Sequence, residues 1–150
     1  MKDTGVFLEW VKNFLGPGFK ELDGRDNYWN IGPVENAEGY GKISGICGDT
    51  MEIWLKIADG AITEARFLTD GCMSSQLCGA AAAWLATREK LIDALDISPA
   101  DVIRLLLCFE GVENHCAILA VSTLYRAIAD YILKTGCDMS GEHKTLAEGP

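Results

Sequence analysis

A chain of 150 residues, 49% hydrophobic and 23% charged, is the size and balance of one globular domain with its own core. Its 22 acidic against 13 basic residues give a net charge of −9, and no cluster of Lys and Arg offers a surface to a nucleic-acid backbone, so no nucleic-acid partner is expected. No apolar run is long enough to cross a bilayer, so no membrane partner is expected either.

Thr4 caps an expected N-terminal helix whose Val6, Phe7, Trp10, Val11 and Phe14 share a stripe, and Gly16-Pro17-Gly18 ends it. Asp3, Glu9, Lys12 and Asn13 interrupt this stretch, which therefore lacks the pattern of a secretory leader. The six cysteines are accordingly expected to be reduced thiols of a cytoplasmic protein, where clustered cysteines more often mean metal or chemistry than cross-links. Residues 16 to 39 are rich in Gly, Asn, Asp and Pro and read as an irregular connection. The expected organisation is a lead-in over residues 1–26, a domain over 27–134 and a flexible polar tail over 135–150.

Residues 40 to 46 read as a strand, weakened by Gly39, Gly41 and Gly45 on and around it. From residue 50 to 59, Met51, Ile53, Leu55 and Ile57 alternate with Glu52, Trp54 and Lys56, the period of a strand with one buried face. Asp59-Gly60 is a two-residue turn, and residues 61 to 69 return as a strand carrying Thr63, Ala65 and Phe67 on one side. After Cys72, Leu77, Ala81, Trp84 and Leu85 recur at helical spacing. Ser98-Pro99 starts a short helix through Leu107, and a last helix runs from about Glu113 to Lys134, with Ala117, Val121, Leu124, Ile128 and Tyr131 on its apolar stripe. The fold class is thus α+β: a small antiparallel three-stranded sheet covered by helices.

The hairpin bears on the cysteines. Around an unbulged two-residue turn at Asp59-Gly60, Cys47 and Cys72 occupy facing positions, about 5 Å apart. Cys72 precedes a helix and Cys116 lies in the first turn of another, where N–H groups and the helix dipole favour thiolate, the form that binds metal. Asp49, two residues after Cys47, points to the same side, and His115 adjoins Cys116, so three sulfurs plus one N or O could complete a tetrahedron. Spacing alone leaves Cys47 divided between metal ligand and buried hydrophobe. Cys78 and Cys108 read as core, Cys137 as a tail thiol, and His143 as a solvated side chain. A nucleophile enzyme using Cys116 with His115 is disfavoured, because adjacent helical residues point about 100° apart and no orienting third group is evident.

Taken in order, Asn30-Ile31-Gly32, Cys47-Gly48-Asp49, Ala65-Arg66-Phe67 leading to Gly71-Cys72, and His115-Cys116 resemble the IscU/NifU-type scaffold family over roughly residues 27 to 134. The resemblance implies a non-enzymatic scaffold that assembles a transient [2Fe-2S] cluster on Cys47, Cys72 and Cys116. It further implies Asp49 as the group favouring release, His115 as an auxiliary ligand and Cys116 as persulfide acceptor. The implied partners are a cysteine desulfurase as sulfur source, an iron donor and apo iron-sulfur clients, and Zn2+ is the implied alternative occupant. Two features depart from the family. Its L-P-P-V-K segment, read by Hsp70/J-protein chaperones, is replaced by Phe109-Glu110-Gly111-Val112-Glu113-Asn114, which puts chaperone-assisted transfer in doubt, and Ala117 replaces a serine after the last cysteine. A SufU-like zinc-binding protein that accepts persulfide sulfur is the alternative. The short stretch between Cys72 and Cys116 has no room for the insertion of that branch, and His115 is a residue it lacks.

Overall fold

Asp59 and Gly60 both take positive φ, 53° and 76°, as a two-residue turn between twisted strands requires. In the computed structural model, which describes residues 31–46, 48–107 and 109–136, this turn joins β2 (Thr50–Ala58) to β3 (Ala61–Thr69). The other edge of β2 pairs with β1 (Gly39–Ser44), so the sheet is antiparallel with order β1-β2-β3. The N-terminal helix expected from Thr4, Cys47, Cys108, and the tail with Cys137 and His143 lie outside the described residues.

Met51, Ile53, Leu55 and Ile57 are buried, as the alternation of β2 demands. Its partner departs from the expected pattern at one point. Lys56 pairs with Glu64 but Ile57 with Ile62, so Thr63 is an extra residue in β3. Ile62, Ala65 and Phe67 therefore face the core, and Thr63, expected beside Ala65 and Phe67, is exposed. Its hydroxyl donates to the Lys56 carbonyl at 3.2 Å. Along the outer edge of β3, Gly32 N–H donates to the Phe67 carbonyl at 2.8 Å and Arg66 Nε to the Ile31 carbonyl at 3.1 Å, so the segment before β1 is fixed beside the sheet.

Four helices follow: α1 (Met73–Ala86), α2 (Leu91–Ala94), α3 (Pro99–Leu105) and α4 (Asn114–Thr135). α1 packs on β3, where its small residues Gly79, Ala80, Ala82 and Ala83 are buried. A Cβ on Gly79 would lie 2.6 Å from the Phe67 ring, so only glycine permits that approach. α2 has no sequence signal, because four residues are too few to show a helical period. α3 starts as expected with a Ser98–Asp101 capping box but ends at Leu105, two residues short of the expected Leu107.

α4 lies across β1 and β2 and also touches α1 and α3. Cys116, Ala117, Ala120, Val121, Leu124, Ala127 and Ile128 form its buried side, and Gly136 closes it in the left-handed conformation with φ 67°. By length and composition this 22-residue helix could cross a membrane, yet half of its apolar window is buried inside the fold as a core helix. The glycines that weaken the reading of β1 make this packing possible. A Cβ on Gly39 would sit 2.5 Å from the Ala127 carbonyl oxygen, and one on Gly41 would sit 2.7 Å from backbone atoms of Ala127 and Thr123.

Candidate metal centre

At the open end of the hairpin, side chains continue where the backbone ladder stops. Thr69 Oγ1 donates to the Thr50 carbonyl at 2.7 Å and accepts from Gly71 N–H at 3.1 Å, while Thr50 N–H donates to Asp70 Oδ1 at 2.8 Å. These bonds bring the chain around Asp49 beside Gly71 and Cys72. The bulge corrects the register argument for Cys47. Pairs nearer the site than Thr63, such as Met51 with Thr69, are shifted by one residue from the unbulged ladder, so Cys72 extrapolates to a position opposite Gly48. Cys47 is the neighbour of Gly48 in sequence but is itself outside the described residues.

Two helix N-termini complete the site. Cys72 is the N-cap of α1, and Cys116 is the third residue of α4. The helices are tied there by Glu113 N–H, which donates to the buried Ser74 hydroxyl at 2.8 Å. The Sγ atoms of Cys72 and Cys116 and a carboxylate oxygen of Asp49 all lie within 4.8 Å of one another. Ligand atoms around a tetrahedral ion with 2.0–2.3 Å bonds stand about 3.3–3.8 Å apart, so a small closure converts this cluster into a coordination site. Cys116 also belongs to an overlapping cluster with His115 and Glu113, in which His115 Nδ1 is 3.9 Å from Glu113 Oε2. Asp49, Cys72, His115 and Cys116 of the expected set are thus gathered at one end of the fold.

The thiols differ in character. Cys72 is exposed, and the backbone N–H of Ser75 is the main cause that holds its thiol below the usual range, against the opposing effect of burial and the nearby Asp49 charge. Cys116 is fully buried, and burial pushes its thiol up despite the Ser74 and Ser75 hydroxyls. The expectation that a helix N-terminus favours thiolate therefore holds for Cys72 and is outweighed by desolvation at Cys116. Cys78, also fully buried, has a thiol pushed up to about 12, mainly by burial and then by repulsion from Cys116, in keeping with its reading as a core residue.

Sequence reasoning missed Ser75 and Glu113. Ser75 is fully buried, and its hydroxyl donates to Asp49 Oδ2 at 2.6 Å and lies 3.3 Å from Cys116 Sγ. The available signal was two serines immediately after Cys72, opening a helix otherwise rich in alanine. Glu113 could have been found as the acidic residue two positions before His115.

Two thiols and a carboxylate converging where two helices begin, on a three-stranded antiparallel sheet, define a cysteine–carboxylate candidate metal centre on an α+β scaffold. The chain belongs to the NifU-like N terminal domain family, whose profile matches residues 20–138. It is 34% identical over 118 residues to iron-sulfur cluster assembly scaffold protein IscU 1 of Archaeoglobus fulgidus, covering 78% of this chain and 77% of the relative. It is 33% identical over 117 residues to IscU of Escherichia coli K12, covering 75% of this chain and 91% of that one. These relatives are named as scaffold proteins, not as enzymes. Among solved structures, a nitrogen-fixing NifU-like protein (N-terminal) from Brucella abortus superposes with a TM-score of 0.56 at 14% identity, over 70% of this chain and 86% of the other. A protein described as an iron-sulfur cluster assembly scaffold for the SUF system of Fervidobacterium islandicum does so with a TM-score of 0.55 at 16% identity, over 80% and 94%.

Proposed function

We propose that this chain is a cytoplasmic iron-sulfur cluster assembly scaffold whose residues 27–134 form the working domain. Its cargo is a transient [2Fe-2S] cluster built on Cys47, Cys72 and Cys116, with Asp49 and His115 as the additional oxygen and nitrogen donors. The observation that carries this reading is the convergence of Asp49, Cys72 and Cys116 within 4.8 Å. Sulfur comes from a cysteine desulfurase and iron from a separate donor, and the finished cluster passes to apo client proteins. Cys116 is the proposed persulfide acceptor. A ligand set that includes a hard carboxylate beside soft thiolates holds iron less firmly than thiolates alone, which suits a cluster meant to leave. Anaerobic reconstitution with ferrous iron, a desulfurase, cysteine and a thiol reductant that converts the delivered persulfide sulfur to sulfide should produce sulfide-to-iron charge-transfer absorbance, and Asp49→Ala should make the product longer lived. A colourless protein under those conditions would refute the reading.

A second reading is a zinc-holding acceptor of persulfide sulfur. It rests on the donor set: two sulfurs and a carboxylate, with an imidazole at the adjoining cluster, are the ligands of a tetrahedral Zn2+ site. It predicts stoichiometric zinc after purification and faster desulfurase turnover, and a zinc-free chain that does not stimulate the desulfurase excludes it.

A further inference from the structure

Ser75 has no exposure to solvent, yet three polar groups of the metal centre surround its hydroxyl. Asp49 Oδ2 lies 2.6 Å from Oγ, Cys116 Sγ 3.3 Å and Cys72 Sγ 3.9 Å. A hydroxyl has one proton to donate and two lone pairs with which to accept. The carboxylate is the strongest acceptor of the three and the closest, so the single proton goes to Asp49 in preference to Cys116 Sγ, the other acceptor within its reach. The serine spans elements far apart in sequence, which a helix-capping serine does not. Its partners stand 26 and 41 residues away, on the segment before β2 and on α4.

Gly71 supports the same contact. A Cβ at this position would lie 2.4 Å from Asp49 Oδ2 and 2.7 Å from Ser75 Cβ, so the carboxylate and the serine meet through a gap that any other residue would fill. We propose that Ser75 is a positioning residue of the metal pocket. Its hydroxyl aims the Asp49 carboxylate at the point where the Cys72 and Cys116 sulfurs converge, and so decides whether an oxygen joins the ligands of a bound divalent ion. The inference rests on the metal-holding reading of the site but requires no cluster chemistry.

The test uses Co2+ alone, added anaerobically to the full chain, because its charge-transfer band reports thiolate ligands and its d–d bands report geometry and oxygen ligation. Ser75→Ala is expected to keep the thiolate band, to move the d–d envelope to that of Asp49→Ala, and to weaken Co2+ binding about 10-fold, the lower end of the range for partners that orient metal ligands. The Asp49→Ala/Ser75→Ala double variant is expected to bind no more weakly than Asp49→Ala, and Ser75→Thr, which keeps the hydroxyl, to retain the wild-type spectrum. A wild-type spectrum and affinity in Ser75→Ala would overturn the proposal, as would a loss that adds in full to that of Asp49→Ala. A merely structural serine would lower the melting temperature of the metal-free chain and leave the Co2+ spectrum in place, which also counts against it. Should the wild type bind Co2+ through thiolates and yet build no cluster, the scaffold function fails while these comparisons still decide the role of Ser75.

Discussion

Replacing Gly71 by Ala tests the site with a single methyl group. The added Cβ would stand 2.4 Å from Asp49 Oδ2, 2.7 Å from its Cγ and 2.7 Å from Ser75 Cβ, where ordinary contact begins at 3.4 Å. Asp49 must therefore withdraw by about 1 Å, since Ser75 is held in the first turn of α1 and cannot follow. Carboxylate oxygens bind Zn2+ and similar ions at about 2.0–2.2 Å, so a retreat of this size would remove Asp49 from the proposed ligand set. Overpacking of this kind destabilises by about 1–3 kcal/mol. The expected result is a lower urea midpoint together with a Co2+ spectrum that resembles Asp49→Ala. Gly111→Ala is the control: that glycine has φ 82° and open space around it, so the substitution strains the backbone without reaching Asp49. It should cost about 1–3 kcal/mol of stability and leave the Co2+ spectrum unchanged. Wild-type stability and spectrum in Gly71→Ala would refute the geometry assigned to Asp49 and Ser75.

Gly41→Ala should destabilise by about 3 kcal/mol or more, because its Cβ meets the α4 backbone at 2.7 Å and a backbone cannot change rotamer; urea unfolding measures it, and a loss below 1 kcal/mol would contradict the packing. Cys78→Ala should retain full Co2+ stoichiometry by titration, whereas Cys72→Ser and Cys116→Ser should each lose thiolate absorbance. Cys72 should alkylate with iodoacetamide at lower pH than an ordinary thiol, because its thiolate is favoured; peptide mass mapping across pH should find Cys78 and Cys116 protected in the folded chain. The sign for stability follows from the same shift. A thiol lowered in the folded state contributes stability above its unfolded pKa and loses it as pH falls through the folded value. Saturating Zn2+ at 100 times its Kd should stabilise the chain by about 2.7 kcal/mol, and an unchanged melting temperature would argue against a preformed site.

Much of this fold was legible because its elements carry strong periods. The alternation from Met51 to Ile57 placed β2, Asp59-Gly60 placed the turn, and Gly136 placed the end of α4. Three kinds of feature were not legible. The bulge at Thr63 has no composition signal, since a threonine fits a strand whether or not it is paired. Gly39 and Gly41 read as weak strand residues because their purpose, the close approach of α4, belongs to an element more than 70 residues later in the chain. Asp49, Cys72, His115 and Cys116 could be singled out as candidates because thiols, imidazole and carboxylate have few other reasons to recur beside turns and helix starts, and their spatial convergence could then be checked. Ser75 was missed because a serine in the first turn of a helix has an ordinary local use, and only the fold reveals that its hydroxyl points to Asp49 and Cys116.

The extra residue at Thr63 gives the hairpin a counting rule. Beyond it, Glu64 to Thr69 pair with Lys56 to Met51 in an unbroken ladder, so deleting Thr63 would leave Ala65 and Phe67 facing the core, whereas deleting one residue between Glu64 and Gly71 would shift the pairing of everything that follows it by one position. Cys72 would then arrive at the open end on a different phase from Asp49. Length changes in this chain are accordingly unequal: the turn at Glu35-Asn36, where Asn36 already holds φ 59° on the surface, and the bulge at Thr63 can absorb a change of one residue, whereas the strand between Glu64 and Gly71 is a ruled scale on which the candidate metal centre is a fixed mark.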